Sequence, residues 1–77
     1  MNNQRRKRIY HSIYNLRQAQ KDLTEILDTQ NLLIKKMPES EEDSIATLEE
    51  VVGYLEETIS NIEMAITTLD CTEFKLT

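Results

Sequence analysis

The chain is poor in the residues that make turns, large aromatic cores and covalent chemistry. Of 77 residues, one is glycine (Gly53), one is proline (Pro38), one is phenylalanine, and tryptophan is absent. So few turn formers exclude an all-β fold, with its repeated hairpins, and a glycine-rich phosphate loop. A core must be filled by Leu, Ile and Val. The single cysteine, Cys71, excludes an intramolecular disulfide and suits a reducing compartment. No apolar run approaches the roughly 18 residues of a membrane span, and the opening MNNQRRKRIYHSIY lacks the apolar centre of a signal peptide. The expected setting is the cytoplasm, with no membrane partner. One histidine, His11, and one cysteine leave too few ligands for a zinc site.

What is present is a heptad pattern. From Ile45 to Leu69 the apolar residues fall at Ile45, Leu48, Val52, Leu55, Ile59, Ile62, Ile66 and Leu69, in alternating steps of three and four. This spacing draws one line down an α-helix, and Glu49, Glu50, Glu56, Glu57 and Glu63 cover its other faces. A second line of the same period runs through Ile9, Ile13, Leu16, Gln20, Leu23, Leu27, Gln30, Ile34 and Met37. Gln20 and Gln30 interrupt it. A buried amide must find a partner, so it penalises misalignment, and register control is favoured over a polar pocket lining. A flank of Ser12, Ala19, Ile26 and Leu33 widens the first helix's apolar face, and Val51 and Ala65 do the same on the second. A wide face suits packing on two neighbours.

The pattern predicts a single all-α domain over residues 1–77, an antiparallel two-helix hairpin dimerising into a four-helix bundle. Helix 1 is expected over about 3–36, with Asn2 or Asn3 as cap and Lys35 and Lys36 in its last turn. Pro38 disfavours helix at Met37, which places the turn at 37–40. Helix 2 is expected over about 41–72, with Ser40 as cap and Glu41, Glu42 and Asp43 at its positive end, or with Ser44 as an alternative cap one turn later. A frayed tail, 73–77, follows, where Glu73 breaks the seam that Leu76 would continue. Gly53, off the seam, should cost up to ~1 kcal/mol relative to alanine. A hairpin with so thin a core is expected to self-associate, most simply as a two-fold dimer.

The net charge of −5 is unevenly spread. Residues 1–37 hold eight basic and three acidic groups, residues 38–77 one basic and eleven acidic. The acidic half makes duplex DNA an improbable partner. Folding back brings Arg5–Arg8 beside Glu63, Asp70 and Glu73, so neutralisation by helix 2 competes with ligand binding as the role of the basic end.

No catalytic constellation is visible, no cofactor is implied, and the chain is expected not to be an enzyme. His11 and Cys71 would share one end of a hairpin, but nothing nearby supplies an oxyanion hole. The candidate ligand-binding residues are Arg6, Tyr10, His11, Tyr14 and Arg17. Guanidinium forks grip phosphate, tyrosine rings stack on a base, and the imidazole can donate to phosphate or ribose. Arg6, Tyr10, Tyr14 and Arg17 follow one helix line beside the seam. In a bundle it would lie in a groove between hairpins, where a dimer makes two equal pockets. The alternative is that the tyrosines pack on a neighbour with their hydroxyls wet.

The opening Arg5-Arg6-Lys7-Arg8-Ile9-Tyr10, the turn Pro38-Glu39-Ser40 and the Glu-rich heptads of Leu48 to Leu69 resemble small helical-hairpin proteins encoded by phages and prophages of Gram-positive bacteria. The likeness covers roughly residues 4–70. Where that group carries a Ser-Glu-Arg step after the turn, this chain has Ser44-Ile45-Ala46. The resemblance implies a phage accessory protein. Small phage oligomers of this size include anti-defence proteins that sequester nucleotide immune signals, and others that bind a host defence protein. The expected function is therefore sequestration of a phosphorylated nucleotide signal by a homo-oligomer in the host cytoplasm. The alternative is inhibition of a host protein through the acidic face of helix 2.

Overall fold

The structure, a computed structural model, describes residues 3–75, apart from the side chains at 73 and 74. The chain is a helical hairpin. Helix α1 spans Asn3–Lys36, a 3₁₀ turn spans Glu39–Glu41, and helix α2 spans Glu42–Lys75. Each α-helix has 34 residues, and no strand occurs among the described residues. No described helix is long and apolar enough to cross a membrane.

The turn follows from Pro38. Its φ of −68° and ψ of 148° are extended, and it ends the helical run. The amide of Met37 donates to the carbonyl of Ile34 at 3.2 Å, closing α1, and the amide of Glu41 donates to the carbonyl of Pro38 at 3.0 Å, opening the 3₁₀ turn. That turn runs directly into α2. Ser40 therefore lies inside the 3₁₀ turn and not at an α-helical cap, a correction to the expectation from its hydroxyl alone. Glu42 and Asp43 still occupy the first turn of α2, where acids complement the helix dipole. The backbone of α2 is helical to Lys75, beyond the expected end near Thr72, which makes the two helices equal in length. Asn2, Leu76 and Thr77 lie outside the described residues, as does the side chain of Glu73.

The seam is where the heptads place it. Every residue from Ile9 to Met37 and from Ile45 to Leu69 assigned to the two apolar lines is shielded from solvent at least in part. Off those lines, Arg6 alone among the described side chains is shielded, one heptad before Ile13. Yet among the described residues only Ile13 and Ile66 are buried, at 7% and 1% exposure. The Cα trace measures 60 × 14 × 11 Å with a radius of gyration of 17.6 Å. A compact globule of this length would have about 11–12 Å. The chain exposes 6056 Å², where a compact 9 kDa monomer exposes about 4,900 Å².

Gln20 sets the register. Its Nε2 donates to Glu63 Oε2 at 2.8 Å and to the carbonyl of Ile59 at 3.4 Å, across the hairpin. Gln30 differs: its Oε1 is buried without a hydrogen-bond partner. The first amide restricts sliding of the helices, and the second carries a desolvation cost with no return.

Assigning Ile13 and Ile66 to heptad position a puts Arg17 and Asp70 at e, and they meet at 3.8 Å. The e positions of both helices thus share one flank of the hairpin, and the g positions share the other. The e flank of α2 carries Glu49, Glu56, Glu63 and Asp70. The g flank carries Ala19, Ile26 and Leu33 from α1, and Val51, Thr58 and Ala65 from α2.

Two stability outcomes follow. A Cβ added at Gly53 meets nothing within 4 Å, so Gly53→Ala should raise the unfolding free energy by up to ~1 kcal/mol in urea titrations. Gln30→Leu should stabilise by about 1 kcal/mol or more, and by more than Gln20→Leu, which gives up two bonds. If Gln20→Leu proves the more stabilising change, the roles given to the two amides are reversed.

Candidate functional site

The basic end of α1 displays its side chains on a helix with one packed side, and that fixes what can converge. Arg6 lies at position a and points along the seam, half-buried. Tyr10 and Arg17 are at e, Tyr14 at b and His11 at f, moving round to the outer surface. Tyr10 is 56% exposed and Tyr14 60%.

Among the five expected ligand residues, Tyr10, His11 and Tyr14 come together. They line a shallow open groove along the outside of α1, joined by Lys7. Lys7 and His11 also border a neighbouring groove with Arg8 and Ser12. Lys7 was the cation to choose: its spacing of three, four and seven from Tyr10, His11 and Tyr14 places it on their face. Arg6 and Arg17 do not join this strip. Arg6 is partly buried at a seam position, and the Arg17 guanidinium faces Asp70 of α2. The hairpin therefore offers an ammonium, an imidazole and two rings on one convex face. It does not offer two guanidinium forks around a cavity.

His11 and Cys71, at one end of the hairpin, both occupy f positions, which face away from the seam on different helices. Both are exposed. Among the described residues no group of three or more His, Cys, Asp or Glu side chains is placed to hold a metal ion.

The second helix presents the other charged feature. Glu49, Glu56 and Glu63 are exposed along the e flank, with Glu50 accepting a 2.9 Å bond from the Tyr54 hydroxyl one turn on. The chain matches no family model, no curated protein and no solved structure.

The Arg17–Asp70 pair is half exposed on both sides, at 53% each, so its coupling in a double-mutant cycle should be under about 1 kcal/mol. It should vanish in molar salt, where the screening length falls to about 3 Å. A coupling that survives molar salt would show the pair to be sheltered by a neighbour.

Proposed function

We propose that the chain is a non-enzymatic interaction protein that works as a homo-oligomer of hairpins, a four-helix bundle in the simplest case. The observation that carries this is the surface left over. The excess of the exposed 6056 Å² over a compact chain of the same mass is about 1,200 Å², more than the ~800 Å² each partner gives to a standard interface. Two buried side chains among the described residues are a thin core.

What such an assembly would hold is read from its two polar features. The strip of Lys7, Tyr10, His11 and Tyr14 combines a phosphate-binding cation with rings exposed for stacking. It supports a phosphorylated nucleotide as ligand, with sequestration as one candidate role that the resemblance to phage hairpin proteins suggests. The ligand would lie along the outside of α1, with Arg6 and Arg17 committed elsewhere. The second reading rests on the acidic line of Glu49, Glu56 and Glu63, which supports docking of a basic surface on a host protein.

Titration calorimetry separates the two. Cyclic dinucleotides and ADP-ribose derivatives should bind with micromolar affinity or better, and Tyr10→Ser with Tyr14→Ser should abolish the heat while the far-ultraviolet helix signal persists. Absence of heat at high protein concentration removes the nucleotide reading. Retention of a host partner after charge reversal at Glu49, Glu56 and Glu63 removes the other.

A further inference from the structure

Resting on the self-association proposed above, we infer which face the second copy covers and which way round it lies: it packs antiparallel, on the g flank of both helices. Four observations point there. First, this flank is uncharged from Ser12 to Leu33 on α1 and from Ser44 to Thr72 on α2, whereas the opposite flank of α2 is an unbroken line of acids. Second, it holds large apolar side chains left in water: Ile26 at 47%, Leu33 at 46% and Val51 at 38% exposure. Third, its small residues Ala19 and Ala65 let a neighbouring helix approach closely. Fourth, three of its hydroxyls are already satisfied. Ser12 donates to the carbonyl of Arg8 at 3.0 Å, Thr58 to Tyr54 at 2.8 Å and Thr72 to Thr68 at 2.9 Å. A hydroxyl bonded within its own helix can be covered without stranding a donor.

Charge decides the direction. A two-fold axis either runs along the hairpin, setting like ends together, or crosses it, setting unlike ends together. The turn end, residues 28–55, carries two basic and seven acidic groups, a net of −5. The open end, residues 3–17 and 62–75, carries six basic and three acidic groups, a net of +3. A parallel pair stacks the two acidic turns on one another. An antiparallel pair sets each acidic turn beside the partner's basic start. Single surface charges contribute little, but all of these act in the same direction. The tyrosine strip of α1 lies off this flank, so each copy keeps its own strip outside the bundle, and the grooves are not shared.

Sedimentation equilibrium and a distance measurement test this together. The chain should sediment as a dimer of 9.0 kDa protomers. Ile26→Glu combined with Val51→Glu should weaken association at least 100-fold, while Asn31→Glu on the other flank should leave it unchanged. Spin labels on Cys71, exposed and the sole cysteine, should lie more than about 30 Å apart across an antiparallel dimer, given a helical rise of ~1.5 Å per residue. That measurement needs no destabilising variant. A dimer with labels under about 25 Å apart overturns the arrangement and leaves self-association standing. A monomer overturns both, and so separates the two failures.

Discussion

One interface holds the hairpin together: two lines of aliphatic side chains, one from each helix, closing across a gap one residue deep. Its depth is the constraint from which the rest follows. In a single pair of helices an a or d side chain is covered from one direction only, so most seam residues remain partly exposed. Ile13 and Ile66 reach burial, and no other described residue does. Hydrophobic gain scales with the area removed from water, and a layer this thin removes little of it for each residue ordered. The elongated shape is the geometric face of the same fact. Thirty-four residues per helix at ~1.5 Å each make a rod near 50 Å long, and a rod has more surface per unit mass than a globule.

A seam of leucines and isoleucines specifies closure better than it specifies alignment, since sliding by one heptad costs little. The two glutamines break that degeneracy unequally. Gln20 finds a carboxylate and a carbonyl on α2, so a slipped register strands its amide. Gln30 meets no such partner for its oxygen within the hairpin. Pro38 and the short turn supply the other restraint, because helices joined by so few residues have no slack. Turn and amide agree on one alignment, which is the consistency between local and global preference that gives a single folded state.

The seam was legible in the sequence because a period of alternating three and four residues has one structural solution, and the side chains it names are the ones shielded. Less was legible at the ends. Ser40 has the chemistry of a cap, but the backbone conformation after Pro38 decides its place, and it falls within a 3₁₀ turn. The candidate site was legible only by parts. Spacing predicted that Tyr10 and Tyr14 share a side of α1. It also put Arg6 and Arg17 on that line, but Arg6 is partly buried at a seam position and Arg17 faces Asp70 of α2. Lys7 is the cation left beside the rings. Competition from the facing helix, which a single-helix reading does not weigh, separates the two outcomes.

The two flanks of the hairpin then divide the work. On one, acids of α2 stand opposite tyrosine, arginine and threonine of α1, and Arg17 and Gln20 already bind there. A charged flank stays wet, because stripping water from Glu49, Glu56 and Glu63 together would cost several kcal/mol per ion without as many cations to meet them. The other flank has no such cost: its side chains are aliphatic, small, or hydroxyls bonded to their own helix. The self-association and the ligand or partner binding proposed above would therefore use different sides of one thin hairpin without competing. Two helices thus supply two flanks of opposite character, one lined by acids and one largely uncharged.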